Sequence, residues 1–413
     1  MILIAGGGIA GLAMGLTLHQ LGLPFRIFER VADPRPLGVG INLQPNAVRE
    51  LFDLGLEAEL DRIGLRTRQY GFYSKFGHEI WVEPRGLHAG YRWPQYSLHR
   101  GHLQMMLLRV LRERAGADCV VTGAGVAGFE TSDHGAALIL TDGQRVAGKV
   151  ALAADGIHSA IRRQMVPAEG DPIWNGAILW RGITRAAPFL GGHAMALAGH
   201  DSQRFVAYPI SGPDPGTGLS DINWIAELRV DPARALSKGD WNRPADKADF
   251  APAFAGWTFG WLDCPALIRS SGPVYEYPMV DRDPLPGWTT GSVTLMGDAA
   301  HATYPVGSNG ASQAIIDARK LGAAFRGHGV NRTALLAYEA DMRPRAEAIL
   351  RANRGKGPDA VMQMVEDRCG GAFDTIESVI PRADLAAHAE HYKRLSGISV
   401  EVLNAQDPIL GPI

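Results

Sequence analysis

Short apolar runs, separated by glycine-rich turns and longer amphipathic stretches, dominate the pattern of this chain. Residues 2–5, 150–154 and 293–296 are almost entirely apolar. Their length and composition predict buried strands of a parallel sheet. Amphipathic stretches at 12–21, 45–60, about 98–115, about 311–327 and 331–354 predict helices between and after them. This alternation predicts an α/β fold.

A different pattern fills the middle of the chain. Residues 70–81, 205–210 and 222–230 alternate between apolar and polar positions, and 171–280 is rich in tryptophan and tyrosine. Alternation with period two is typical of antiparallel strands with one face buried. We therefore predict a second, mainly antiparallel β-sheet domain. Beyond about residue 354 the pattern is mixed and predicts no definite element.

The first turn of the chain carries a nucleotide-binding pattern. Gly6, Gly8 and Gly11 fill the spacing G-x-G-x-x-G between the first strand and a helix, and the next strand ends in Glu29. These glycines allow a tight turn, close backbone approach to a pyrophosphate and close helix–strand packing, and an acidic residue about 20 residues later binds a ribose. The helix N-terminus faces the phosphates. This context predicts a dinucleotide site, the alternative being a glycine-rich turn of another α/β protein.

A second glycine run, at 123–128, also fits G-x-G-x-x-G. The residues that follow it alternate like strands and contain the turn signal Asp142-Gly143, so no helix is predicted to receive a phosphate. We predict that this run ends a strand beside the adenine side of the first nucleotide and that it binds no second one.

Composition excludes several classes of partner. The net charge is −2 over 413 residues, with 46% hydrophobic and 20% charged residues, so neither nucleic acid nor a membrane is expected as a partner. No run of about 18 apolar residues predicts a spanning helix. The three cysteines form no C-x-x-C pair, which favours free thiols and a cytoplasmic location.

Two further motifs complete the set. Residues 155–162 read Asp-Gly-Ile-His-Ser-Ala-Ile-Arg, and Gly297-Asp298 follows a buried strand. With the first glycine motif, they resemble the single-component (class A) FAD-dependent aromatic hydroxylases of the para-hydroxybenzoate hydroxylase type. Within that family, 37–47, 94–106, 207–211, 277–286 and 304–317 are most similar to the members that act on 5-methylphenazine-1-carboxylate.

The resemblance implies a domain organisation. It predicts a discontinuous Rossmann-like FAD-binding domain (residues 1–66, 96–170 and 281–330), a mainly antiparallel β-sheet substrate-binding domain (67–95 and 171–280) and a C-terminal helical segment (331–413).

The resemblance also implies roles for individual residues. FAD is expected to bind without a covalent bond, and no metal is expected. The backbone of Pro305 and Gly307 would line the flavin peroxide site. Asp155 and Arg162 would serve partly the structure and partly NAD(P)H, with Arg162 alternatively a structural ion pair, and His301 is expected to be structural. The predicted FAD-binding residues are Gly6, Gly8, Ile9, Ala10, Gly11, Glu29, Arg30, Gly40, Ile41, Arg100, Gln104, Val126, Asp155, Asp298, Gly307, Ser308, Asn309, Gly310 and Ala311.

The implied reaction is hydroxylation through a flavin C4a-hydroperoxide, with NADH or NADPH as transient reductant and O2 as oxidant. The expected substrate is a small planar heteroaromatic molecule, phenazine-like, that contains nitrogen. The candidate pocket wall consists of Trp180, Arg181, Tyr208, Trp224, Met279 and Tyr304. Arg181 is the only charged member, so it is the first choice for pairing with a substrate carboxylate or phenolate, the alternative being an ion pair between strands.

Other functions remain open from the sequence. The FAD domain also suits an oxidase or dehydrogenase of a small molecule, or a non-catalytic flavin-binding sensor. A flavin-dependent halogenase would need a W-x-W-x-I-P stretch, which the chain lacks. The sequence does not choose between NADH and NADPH, or between a monomer and a homodimer.

Overall fold

A computed structural model of the chain describes residues 1–231, 243–355 and 357–411. Part of the predicted substrate domain (232–242) and of the predicted C-terminal segment (356 and 412–413) therefore lies outside the described residues.

Twenty strands are assigned within the described residues. They are β1 (Ile2–Ala5), β2 (Phe25–Glu29), β3 (Gly40–Leu43), β4 (Gly64–Thr67), β5 (Gln69–Tyr73), β6 (Glu79–Pro84), β7 (Gln95–His99), β8 (Val120–Thr122), β9 (Val126–Ser132), β10 (Gly135–Leu140), β11 (Arg145–Gly148), β12 (Val150–Ala153), β13 (Ile173–Ala186), β14 (Ala194–His200), β15 (Gln203–Pro209), β16 (Ser220–Arg229), β17 (Arg243–Pro244), β18 (Tyr275–Asp281), β19 (Thr289–Thr290) and β20 (Val293–Leu295).

Twelve α-helices are assigned within the same ranges. They are α1 (Ile9–Gln20), α2 (Pro45–Asp53), α3 (Glu57–Ile63), α4 (Arg100–Ala115), α5 (Ala160–Met165), α6 (Cys264–Ser270), α7 (Asp298–His301), α8 (Gly310–His328), α9 (Arg332–Asn353), α10 (Ala360–Cys369), α11 (Arg382–Leu395) and α12 (Val400–Asn404). None of these helices combines the length and the apolar character that crossing a membrane would need.

The first sheet has the order β19-β20-β12-β1-β2-β8. β1 pairs in parallel with both β2 and β12, and β12 pairs in parallel with β20. The strands β1, β12 and β20 are buried along their whole length, as expected for a parallel sheet packed within helices. The carboxyl ends of these strands meet at one edge, which is where ligands bind in open α/β sheets.

The second large sheet has the order β17-β18-β13-β16-β15-β14-β5-β6 and is antiparallel except where β14 meets β5. Its central strands β13, β16 and β15 are long, and their side chains alternate between two buried faces. One face packs against the residues around Phe250 and Phe254, and the other packs against the C-terminal helix α10 and Leu385 of α11. The predicted fold class is confirmed, while the predicted domain boundaries stay a prediction.

One predicted helix is divided in two. The amphipathic stretch at 45–60 forms α2 and α3, because Gly55 adopts a φ of +71° between them. Only glycine reaches this left-handed conformation without strain. Asp53 and Glu57 therefore belong to separate helices.

Candidate active site

The three sequence motifs meet at the carboxyl edge of the first sheet. Gly6 follows β1, Asp155 follows β12, and Asp298 follows β20. A cavity of about 340 Å³ opens there and extends to one face of the antiparallel sheet. Among its lining residues are Gly8, Ile9, Ala10, Gly40, Ile41, Arg100, Asp298, Pro305, Gly307, Ser308, Asn309, Gly310 and Ala311.

The glycines of the first turn make the backbone approach that the sequence predicts. Gly6 has a φ of +101°, and an added Cβ would lie 2.4 Å from the carbonyl oxygen of Ala154. A Cβ on Gly11 would lie 2.0 Å from the Gly6 carbonyl oxygen. Any side chain at either position therefore displaces the backbone that forms the nucleotide cradle.

Glu29 and Gln104 hold this turn from two sides. The Glu29 carboxylate accepts hydrogen bonds from the backbone amides of Gly7 at 2.7 Å and Val31 at 2.8 Å. The Gln104 side-chain amide donates to the Gly7 carbonyl oxygen at 2.9 Å. Gln104 thus belongs to the nucleotide turn through the backbone of Gly7. Whether Glu29 also binds a ribose stays a prediction.

The second glycine run does not lead into a helix. It continues as β9, which pairs with β10, and the Ala124 amide donates to the Glu29 carbonyl oxygen at 2.8 Å. The expectation of a strand end beside the first nucleotide turn agrees with this geometry. Val126 and Arg30 lie near Glu29 but outside the lining of the cavity, and Arg30 is exposed.

Asp155 and Arg162 have different surroundings. One Asp155 carboxylate oxygen accepts from the Ala160 amide at 2.9 Å, and burial raises the pKa of this carboxyl group. Arg162 is buried, pairs with Glu169, and donates to the carbonyl oxygens of Ala299 at 3.0 Å and of Ala300 at 2.8 Å. The expectation that Arg162 contacts NAD(P)H is therefore wrong, because its buried guanidinium already bonds to Glu169 and to the backbone of α7.

Asp298 and His301, at the two ends of α7, differ in exposure. Asp298 is exposed and lines the cavity. His301 is buried, and its Nε2 lies 2.6 Å from a carboxylate oxygen of Asp317, which also accepts from the Gly297 amide at 2.7 Å. Burial alone would lower the pKa of His301, but Asp317 outweighs it and raises the pKa. The geometry agrees with a structural histidine.

This difference in exposure predicts different effects for the two alanine variants. Asp298→Ala is expected to weaken FAD binding by about 1.5 kcal/mol, because it removes a charged hydrogen-bond acceptor, and to leave the fold intact. His301→Ala is expected to cost about 3 kcal/mol of folding free energy, since it leaves the buried Asp317 with the Gly297 amide but without the imidazole that stabilises it. FAD released by acid per mole of protein, and the melting temperature, measure the two effects. Lower FAD occupancy in folded His301→Ala than in Asp298→Ala would contradict this assignment.

The loop that follows Thr303 has an unusual backbone, with positive φ at Gly307 (+68°) and at Ser308 (+55°). Tyr392 of α11 holds the loop, because its hydroxyl accepts from the Asn309 side-chain amide at 2.7 Å and donates to Asn353 at 2.8 Å. No functional role is predicted from the sequence for the C-terminal segment that supplies Tyr392. Its last helices therefore help to form the site.

The antiparallel sheet contributes only some of the predicted substrate residues. Arg181, Tyr208, Met279 and Tyr304 line the cavity. Trp180 and Trp224 do not. Trp180 is fully buried on the opposite face, where it stacks on Phe250 with 4.9 Å between ring centroids, and the Trp224 indole donates to Thr184. Their assignment to the pocket wall is wrong because neighbouring residues of a strand point to opposite faces.

Arg181 and Asn223 clamp the strand β3 to the antiparallel sheet. The Arg181 guanidinium donates to the Gly40 carbonyl oxygen at 2.7 Å, and the Asn223 side chain accepts from the Gly40 amide at 2.7 Å. A Cβ on Gly40 would lie 2.7 Å from Asn223 and 2.8 Å from Tyr208. The ion pair that the sequence left open as an alternative for Arg181 is replaced by a bond to the backbone.

The sequence matches the model of a protein family described as "FAD binding domain" over residues 1–181 and 282–353. The chain belongs to this FAD-binding family. It is 43% identical to the phenazine 1,6-dicarboxylic acid hydroxylase PhzS of Lysobacter antibioticus over 364 residues, covering 86% of this chain and 89% of that protein. It is 31% identical to the 3-amino-4-hydroxybenzoate 2-monooxygenase PtmB3 of Streptomyces platensis over 398 residues, covering 89% and 91%.

The fold also occurs in solved structures. Klebsiella pneumoniae HpxO, complexed with FAD and uric acid, superposes with a TM-score of 0.73 at 22% identity, covering 98% of this chain and 96% of that one. The FAD-binding family member described here is a class A aromatic hydroxylase, an enzyme of the FAD-dependent monooxygenases. Its cofactor is FAD, and NAD(P)H and O2 are the co-substrates typical of these enzymes.

Proposed function

We propose that the enzyme hydroxylates a planar, phenazine-like heteroaromatic substrate held between the flavin and the antiparallel sheet. The observation that carries this proposal is a continuous cavity that joins the nucleotide turn at Gly8 to the sheet residues Tyr208 and Met279. The relative at 43% identity is named as a phenazine dicarboxylic acid hydroxylase, which supports the ring system. Apolar and aromatic walls with few polar groups suit such a ligand.

The residues present fit FAD. The glycine cradle at Gly6 and Gly11 admits no side chain, and the exposed Asp298 carboxylate faces the cavity where it can accept hydrogen bonds from ribityl hydroxyls. Residues 307–311 lead into α8, whose backbone amides and positive dipole end can stabilise negative charge on a reduced ring. When bound, FAD supplies the activation of O2.

The protein's part in the reaction is to hold the aromatic ring and to exclude water. Tyr304 and Pro305 line the cavity beside Gly307, and Tyr392 holds this loop from behind. Arg181 and Asn223 hold Gly40 at the opposite wall. We propose that oxygen transfer takes place between these two walls, next to the backbone of Pro305 and Gly307.

NAD(P)H is proposed to bind transiently near Asp155 and Gly156. Burial lowers the pKa of His158, and Arg282, Arg163 and Arg30 lower it further while Asp171 opposes them, so the field at His158 is dominated by cations. A pyrophosphate would be attracted to such a group of cations. Gly156 also lines the cavity, so a nicotinamide bound there would lie beside the flavin site.

The proposal extends to the setting of the enzyme. Cys119, Cys264 and Cys369 are all free, which supports a reducing, cytoplasmic location. A monomer or a homodimer without nucleic acid or membrane partners is proposed. The competing functions are an FAD oxidase or dehydrogenase and a flavin-binding sensor.

A screen of heteroaromatic compounds tests the function. Purified enzyme with FAD should oxidise NADH or NADPH faster when phenazine-1-carboxylate or a related ring is present. The product should gain one oxygen atom from 18O2, read by mass spectrometry. Stimulated turnover without oxygen in the product would indicate an oxidase or dehydrogenase. Ligand binding without turnover would indicate a sensor.

A further inference from the structure

Three charged side chains that none of the roles above uses line the same cavity. They are Arg204 on β15, Glu227 on β16 and Asp359, which precedes α10. Arg204 and Glu227 are direct cross-strand neighbours, and the three residues are only 7%, 6% and 7% exposed. Charges are costly to bury, so their partners in the cavity decide what the group can bind.

The Arg204 guanidinium is only partly satisfied. Nη1 donates to Asp359, and Nη2 lies 3.2 Å from an oxygen of Asp201. Glu227 is 3.9 Å from Nη1, which is too long for a hydrogen bond. Among the residues that the structure describes, the buried Nε of Arg204 has no hydrogen-bond partner. An N–H donor of a buried cation is therefore left for a ligand.

The surroundings of Glu227 shift its carboxyl group towards the protonated form. Burial raises the pKa of its carboxyl group, the carboxylates of Asp359 and Asp201 raise it further, and Arg204 opposes them. The charged groups that act on Glu227 from its own and neighbouring elements are Arg204, Asp359, Asp201 and Arg229. A protonated carboxyl group is a hydrogen-bond donor, so Glu227 and Arg204 Nε together offer two donors.

The position of this group suits one end of an elongated ligand. Tyr208 lies four residues after Arg204 on β15, and the Gly40 clamp at Asn223 lies four residues before Glu227 on β16. Four strand residues span about 13 Å, which leaves room for a flat fused-ring molecule between the two ends. Asp359 also adjoins the loop after Pro305, since a Cβ on Gly357 would contact both Asp359 and Val306.

We propose that Glu227 and Arg204 bind a carboxylate substituent of the aromatic substrate, with Asp359 holding the Arg204 guanidinium in place. This inference rests on the proposed function. A carboxylate accepts from both donors, and a charge-assisted pair is stronger than a neutral one. Arg181, the choice made from the sequence, also lines the cavity, but its Nη2 donates to the Gly40 carbonyl oxygen, and among the described residues no carboxyl group like that of Glu227 faces it across the strand pair.

The test compares one ring system with and without its charge. Phenazine-1-carboxylate and phenazine-1-carboxamide are titrated into the FAD-loaded enzyme, and the change in flavin absorbance gives each dissociation constant. The double variant Arg204→Met/Asp359→Leu removes both members of the closest buried pair, so that Asp359 is not left buried without its cation. It is expected to bind the carboxylate roughly 10- to 100-fold more weakly and to bind the carboxamide within a few-fold of the wild type.

A second variant, Glu227→Gln, keeps the size and a donor but loses the titration. In the wild type, the affinity for the carboxylate is expected to fall as the pH rises through the titration of Glu227, whose pKa is raised above the ordinary value, because Glu227 must hold a proton to donate. In Glu227→Gln, the affinity is expected to be nearly independent of pH over the range of that titration. If the double variant fails to fold, by its melting temperature and FAD content, this pH profile decides the question.

The matched control is Arg145→Met/Glu130→Leu, which removes an exposed ion pair with a 2.8 Å separation outside the cavity. It should leave both dissociation constants unchanged. If the double variant binds both ligands more weakly by the same factor, or if the affinity of the wild type does not depend on pH, the proposed carboxylate subsite is wrong while the proposed function stands. If neither ligand binds the wild type, the phenazine class fails and the subsite falls with it, while the oxygen-incorporation screen still decides the function.

Discussion

Gly307→Ala is expected to separate NAD(P)H oxidation from hydroxylation. An added Cβ would lie 2.1 Å from the Tyr392 hydroxyl, and the backbone at Gly307 has a φ of +68°. Alanine in this conformation costs about 1–2 kcal/mol, and the clash displaces Tyr392 from Asn309 and Asn353. The loop that forms one wall of the proposed oxygen-transfer site should then admit water. We expect product per NADH consumed to fall at least tenfold, on the order of the loss seen when reacting groups are misplaced, with hydrogen peroxide formed in its place.

Oxygen uptake, peroxide and product are measured together for this variant, and FAD content is checked first. Gly212→Ala provides the control, since Gly212 has no heavy atom within 4 Å of an added Cβ and lies in the turn after β15. Tyr392→Phe should give a milder form of the same loss, because it removes the hydroxyl group that holds Asn309 and Asn353. Full coupling in Gly307→Ala would show that the loop does not shape the site.

The meeting of the three motifs was predictable because it follows from local patterns. Each motif comes directly after a short, wholly apolar run, such as the one ending at Ala5 or at Leu295, and such runs form parallel strands whose carboxyl ends share an edge. The structure of the second glycine run, at 123–128, was also predictable, because the alternating pattern that follows it excludes a helix.

The wall of the substrate cavity was less predictable because it depends on which face of a strand each residue occupies. Trp180 and Arg181 are adjacent in one strand, so their side chains point to opposite faces and cannot both line the same wall. This signal was available in the sequence. Trp224 is different. Its face is decided by the pairing of Tyr208 with Asn223, and a register between strands is not visible in the composition of either one.

Contacts between distant segments were not predictable at all. Arg181 reaches the Gly40 carbonyl oxygen across 141 positions, and Tyr392 reaches Asn309 across 83 positions. The sequence shows that a charge or a hydroxyl group is present, but the partner is set by tertiary packing. Arg204 and Glu227 escaped notice for the same reason, since each is an ordinary polar residue in an alternating strand until the two are paired.

Replacing Arg319 is expected to lower the free energy of unfolding strongly. It lies within α8 with no exposed surface, pairs with Glu50 at 3.3 Å and with Asp53, and donates to the side-chain oxygen of Gln20 at 2.6 Å. Arg319→Met keeps most of the side-chain volume but leaves Glu50 buried with fewer partners. We expect it to lower the free energy of unfolding by about 3–5 kcal/mol, the usual cost of removing one member of a buried pair.

Urea unfolding followed by tryptophan fluorescence measures this loss, with Arg332→Met as the matched control. Arg332 pairs with Asp133 at 3.7 Å, and both side chains are largely exposed, at 47% and 76%. Exposed pairs contribute about 0–1 kcal/mol, so the control should unfold nearly like the wild type. A small loss in Arg319→Met would mean that α1, α2 and α8 are held together by their apolar packing, with the buried ion group adding little. A large one would show that these helices, which carry the nucleotide turn and the loop after Pro305, depend on one buried cation for their arrangement.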